Sequence, residues 1–146
     1  MAADDKDAKT GGTESARWLK ELEKFAKGTF WEHLGLRAVD VAEERTIIAL
    51  DAKPEHLNGM DIVHGGVLAS MLDSAMGLAV MRAYPGRRIV TTNLNVHFVA
   101  PMKTGTLTAV AEIAHKSRTT ITVQASVTDA AGKLGTIGTG SFRLLD

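Results

Sequence analysis

The chain is 146 residues long, the size of one domain with a real core, and seventeen basic residues balance seventeen acidic ones. A zero net charge argues against a nucleic-acid binder that depends on phosphate contacts. With no cysteine there is no disulfide framework, no thiolate nucleophile and no zinc–cysteine site.

Residues 1–12 (M-A-A-D-D-K-D-A-K-T-G-G) carry no apolar residue large enough to pack and no signal-peptide core. They read as a disordered lead-in to a cytoplasmic protein, with residues 13–146 forming a single domain. Thr13 or Ser15 is placed to cap a helix running to about Lys27, its packing face being Trp18, Leu19, Leu22, Phe25 and Ala26. Gly28 ends that helix. Phe30, Trp31 and Leu34 form a short apolar turn that closes at Gly35. Both segments read as packing cover, with Phe30 and Trp31 also placed to border a ligand channel.

From Leu36 the hydrophobic period becomes that of strands. Leu36 to Ala42 and Arg45 to Ala52 flank Glu43-Glu44 as a hairpin, and Pro54 to Gly59 is a turn. Residues 65–82 then run apolar without proline, too long for a strand, and form a helix meant for an interior. His64, Asp73 and three glycines interrupt this run, which argues against a membrane span. Tyr84-Pro85-Gly86 stops the helix. Residues 88–100 alternate, with Val90, Thr92, Leu94, Val96 and Phe98 on one face and Thr91, Asn93, Asn95 and His97 on the other. Thr106 to His115, Thr119 to Thr128 and a last strand through Leu144 complete the chain. One long buried helix with five or six antiparallel strands is an α+β layout, the sheet curling round the helix.

Asp73 is the helix's one acidic residue, on a stripe of small residues (Gly66, Ala69 or Ser70, Gly77) that admits another backbone or a ligand. A mid-helix aspartate needs a partner or water if buried, so it is either a satisfied structural group or a working one. His64 stands at the helix entrance without a G-x-S-x-G or other nucleophile motif, which favours an orienting or packing role. His33, His56, His97 and His115 show no metal-ligand spacing, so no metal is expected.

N-G-M-D-I-V-H-G-G-V-L-A-S-M-L-D-S-A followed by V-T-T-N-L-N-V-H-F-V-A-P resembles the hotdog-fold acyl-CoA thioesterases of the phenylacetate-degradation (PaaI-like) group, over roughly residues 35–146. The resemblance implies a helix wrapped by a curved antiparallel sheet, homodimers pairing the strand after the helix, and often homotetramers. It implies Asn58, a backbone oxyanion donor at Gly65, a catalytic carboxylate at Asp73 and a water-placing hydroxyl at Thr91. Because Thr92 adjoins Thr91, that last role could fall on either. His64, Gly66 and Thr92 would line the substrate. The substrate would be an acyl-CoA, with coenzyme A entering as part of it and no separate cofactor. Lys103, Lys116, Arg118, Arg87 and Arg88 are candidates to meet its phosphates.

The chemistry is sensible on the residues alone. Free N–H groups at a helix start favour a developing oxyanion, and an aspartate can activate water or attack the carbonyl itself. Eight residues separate Gly65 from Asp73, about 12 Å along a helix, too far for both to serve one carbonyl within a chain. If both act together, they come from two subunits whose helices run antiparallel about a two-fold. Two other readings stand beside hydrolysis: a non-catalytic acyl-CoA-binding regulatory domain, and a hydratase or dehydratase of acyl thioesters using His64. Leu, Met, Val and Phe side chains suit an aryl or medium-chain acyl group.

Overall fold

The computed structural model describes residues 6–146, with side chains from Glu14 onward. It contains α1 (Lys6–Ala26), α2 (Phe30–Leu34), β1 (Leu36–Ala42), β2 (Arg45–Ala52), a one-turn 3-10 helix (Pro54–His56), α3 (Gly65–Ala83), β3 (Arg88–Phe98), β4 (Gly105–Lys116), β5 (Thr120–Thr128) and β6 (Leu134–Leu145). Six antiparallel strands form one sheet in the order β1-β2-β4-β5-β6-β3. This is the α+β arrangement expected, with α3 packed along the sheet.

The lead-in needs correcting. Residues 1–5 lie outside the described residues, but 6–12 are the first turns of α1, not a disordered arm. Lysine and alanine favour helix, and an aspartate near an N-terminus suits the helix dipole. The helix therefore continues through Gly11-Gly12 despite a cost of about 1 kcal/mol for each glycine relative to alanine. Ser15, expected as a cap, lies inside the helix, and its hydroxyl reaches Asp40 Oδ1 on β1 at 3.4 Å. Trp18, Leu19 and Leu22 pack on the core, with Ala26 buried. Arg82 of α3 ties α1 down: its guanidinium lies 5.5 Å from the Trp18 ring and 3.2 Å from Glu14.

α3 has the length and hydropathy to cross a membrane. Its largest residues are committed elsewhere. Met71, Leu72, Met76 and Val80 have no exposed surface and join one core with the inward residues of β2, β4 and β5, among them Ile48, Leu107, Ile121 and Val123. On β6 the inward positions include Gly138 and Gly140, and the helix comes close because they lack side chains. A Cβ on Gly138 would stand 2.9 Å from Leu72 Cδ1 and 2.7 Å from the backbone oxygen of Asn95. The oxygen belongs to a paired strand and cannot easily yield. Gly138→Ala is therefore expected to destabilise the fold by about 1–3 kcal/mol, the usual cost of overpacking, read as a lower urea midpoint.

β3 departs from strict alternation. The register shifts between Thr91 and Asn93, so Thr92 is the extra residue of a bulge. Before the bulge the odd residues Ile89 and Thr91 face α3; after it the even residues Val96 and Phe98 do. Reading Thr91 and Thr92 by parity alone thus puts them on the wrong faces. Beyond β3 no strand follows among the described residues, and Val90, Leu94, Phe98 and Val99 stay substantially exposed along this edge.

Candidate functional site at the entrance and middle of α3

His64 is the N-cap of α3. Its Nδ1 accepts from the Gly66 amide at 2.8 Å, which leaves the ring proton of the neutral form on Nε2. The amides of Val67 and Leu68 turn to the His64 carbonyl. Of the four N–H groups that a helix start leaves unpaired, only that of Gly65 has no partner among the described residues. It sits at the positive end of the helix dipole, suited to an oxyanion. Gly66 has a different reason to be glycine: a Cβ there would fall 2.9 Å from His64 Nδ1 and break the cap. The structure thus gives His64 and Gly66 a job in shaping the helix entrance, where substrate contact was expected.

Two groups hold this entrance in place. Asn58 sets the turn before it: its side-chain oxygen accepts from the Met60 amide at 2.9 Å, and its own amide donates to Ile62 O at 2.8 Å. His56 is the residue that sequence reasoning missed. Buried, it accepts the Lys53 amide on Nδ1 and so donates from Nε2 to Leu34 O, while its carbonyl receives the His64 amide. One residue therefore ties α2, the turn and the start of α3 together. No spacing rule could have found this, because its partners are backbone groups brought near only by the fold.

Two turns further along, Asp73 is half-buried and accepts a hydrogen bond from the Thr91 hydroxyl at 2.8 Å on Oδ1. Oδ2 is left to face solvent or a ligand. Thr92 does not join them. Its hydroxyl donates to Ser141 O at 3.1 Å, since the bulge turns it away from α3. Of the two threonines, Thr91 is the one whose hydroxyl meets Asp73. Beside Asp73 and Thr91 opens a cavity of about 280 Å³. Trp31 borders it, as one of the two aromatics placed to line a channel; Phe30 stands apart, stacked on His33. Gly65 and Asp73 lie on one continuous helix, so within a chain they remain two turns apart.

Among the described residues no three His, Asp or Glu side chains come together in a way that could hold a metal ion. Of the basic candidates, Lys116 is paired with Glu44 and lies over the Tyr84 ring, and Arg87 donates to Leu145 O. Lys103 follows Met102, whose carbonyl accepts the Val63 amide, so it lies next to the helix entrance.

A family model described as the thioesterase superfamily matches residues 60–136, which include Gly65, Asp73 and Thr91. An esterase-like protein of Saccharolobus solfataricus is 29% identical over 127 residues, 87% of this chain and 90% of that one. Acyl-coenzyme A thioesterase 13 of Mus musculus is 30% identical over 67 residues, 46% of this chain and 48% of that one. Among solved structures, a point mutant of the phenylacetic acid degradation protein PaaI from Thermus thermophilus is 30% identical, with a TM-score of 0.74 over 80% of this chain and 98% of that one. PaaI of E. coli, at 22% identity, shares the fold with a TM-score of 0.81 over 90% of this chain and 96% of that one. The long helix, the six-stranded sheet and the matched segment agree: the chain is a hotdog-fold enzyme belonging to the thioesterase superfamily.

Proposed function

We propose that the protein hydrolyses the thioester of an aryl- or medium-chain acyl-CoA, with Asp73 as general base or nucleophile and the Gly65 amide as oxyanion donor. The observation that carries this reading is the pairing of a free helix-start N–H with a carboxylate held from one side by Thr91. In the general-base route Asp73 takes a proton from water as the water oxygen bonds to the carbonyl carbon. The oxyanion forms against Gly65, then the C–S bond breaks and the thiolate leaves. In the nucleophilic route Asp73 forms that bond itself, giving an anhydride that water opens. Lys103 is the basic residue best situated to meet a coenzyme A phosphate.

The site is completed across a homodimer. β3 is an eleven-residue edge strand with exposed apolar side chains, the kind of edge that pairs with a second copy. Antiparallel pairing of two β3 strands about a two-fold sets two α3 helices side by side in opposite directions. Asp73 of one chain then approaches Gly65 of the other. Two such dimers would make the tetramer that the resemblance implies. The hydratase reading gains nothing here, since His64 Nδ1 is spent on the cap.

The test is a panel of aryl-CoA and short-, medium- and long-chain acyl-CoA substrates with thiol release as readout; no hydrolysis of any would overturn the reading. A variant probes the oxyanion donor separately. A side chain at Gly65 would point toward the Phe98 ring, at 3.1 Å from a Cβ, and that exposed ring can move. Gly65→Val is therefore expected to keep its helical circular dichroism while kcat/KM falls about 10²-fold, the scale of a misplaced reacting group. Unchanged kinetics would remove Gly65 from the site.

A further inference from the structure

The cavity beside Asp73 has a direction. Asp73, Gly77 and Met81 lie along it at intervals of four residues on α3, so it follows one helix face for two turns, about 12 Å. Ile89 and Phe142 of the sheet form its floor, and Leu22, Phe25 and Trp31 of α1 and α2 form its roof. The acid and its Thr91 partner stand at one end of a mostly apolar trough, which is how a site for an apolar group with one reacting end is built. Its volume of about 280 Å³ falls just below the range of roughly 300–1,000 Å³ usual for small-molecule pockets. That suits one ring or a modest chain.

We propose that this trough is the acyl subsite, entered at Asp73 and closed at Met81, and that its α1–α2 roof sets the acyl length at about eight carbons. The proposal rests on the thioesterase reading above. With C–C bonds of about 1.5 Å, an extended chain advances ~1.3 Å per bond, so ~12 Å admits eight or nine bonds. The roof lies outside residues 60–136, so the family-matched segment supplies the chemistry while the N-terminal segment supplies selectivity. The proposal also accounts for Phe25, a large ring left 72% exposed while Trp18, Leu19, Leu22 and Ala26 of the same helix are better buried. It covers the trough and not the core. Because the trough belongs to the chain that donates Asp73, the acyl group lies in one subunit while the partner's amide holds its carbonyl.

Gly77 and Phe25 test this from opposite sides. A Cβ on Gly77 would sit 3.5 Å from the Phe142 ring, in ordinary contact, so Gly77→Val narrows the trough without a backbone clash. Its ratio of kcat/KM for octanoyl-CoA over butyryl-CoA should fall about tenfold or more, the discrimination that lost methylene contacts produce. Phe25→Ala, on the surface, should move the preferred chain longer by two carbons or more, whereas Asp73→Asn should lower every chain length alike. Hydrolysis with an unchanged length profile in both Gly77→Val and Phe25→Ala would overturn the subsite and leave the thioesterase standing. A binding arm separates the two failures if nothing is hydrolysed. With Trp18→Phe, Trp31 is the one remaining indole. Titration with S-(2-oxoalkyl)-CoA thioethers, which cannot be hydrolysed, should change its fluorescence with an affinity that rises to about eight carbons and then stops. An affinity independent of chain length, or no change in Trp31, would refute the trough.

Discussion

Asp73→Asn is expected to lower kcat by about 10²–10⁴, the usual contribution of a positioned general base, and more if the carboxylate is the nucleophile. The substitution is nearly isosteric, and an amide oxygen can still accept from the Thr91 hydroxyl, now 2.8 Å from Oδ1. Fold and substrate binding should therefore persist, so KM changes little while turnover collapses. Thr91→Val is the milder companion. Removing one hydrogen bond to a charged group costs about 1.5–3 kcal/mol, so a loss of roughly 10- to 150-fold is expected. A folded Asp73→Asn enzyme turning over at near-native rate on its best substrate would end the assignment.

How much of the fold and site is legible in the sequence depends on where each signal lives. α3 is readable because a long run without proline, opened by His-Gly-Gly, permits little else; its observed span is Gly65–Ala83. The hairpin at Glu43-Glu44 and the later strands follow equally from local pattern, with ends within a residue or two. β3 is misread in part because alternation assumes an unbroken ladder. One bulge at Thr92 exchanges the faces on either side of it, and nothing in V-T-T-N announces a bulge. The site shows the same division. Asp73 stands out in the sequence as the one acidic residue of α3, whereas Asn58 and Gly65 enter as candidates only through the resemblance to the thioesterases. The choice of Thr91 over Thr92 needs the ladder, and the cap made by His64 needs a ring geometry. Phe25 falls on a packing face by helical spacing, yet it is exposed, because what it covers is a trough formed by elements distant in sequence. Cavities and backbone-directed side chains such as His56 are products of tertiary packing, and periodicity carries no record of them.

Restoration of activity by two dead variants is the second large effect expected, and it tests the shared site directly. Asn58→Ala damages the Gly65 half of a site. Since the Asn58 side chain shapes the turn at Met60, it does so whether Asn58 meets substrate or only holds the entrance of α3 in its own chain. Asp73→Ala damages the other half. Each variant alone should be nearly inactive, because every site in its dimers is singly defective. Unfolded and refolded together in equal amounts, random pairing makes about half the dimers mixed. In a mixed dimer the Asp73→Ala chain still supplies an intact Asn58 and Gly65, and its partner still supplies an intact Asp73. One of the two sites is then wild type and the other carries both defects. The mixture should recover roughly a quarter of wild-type activity, with no new contact made anywhere. The helix spacing makes this outcome compulsory if both groups serve one carbonyl, since about 12 Å separates them within a chain. Absence of recovery, with chain exchange confirmed by mass, would refute the shared site: Gly65 and Asp73 would then not serve one carbonyl across the two-fold.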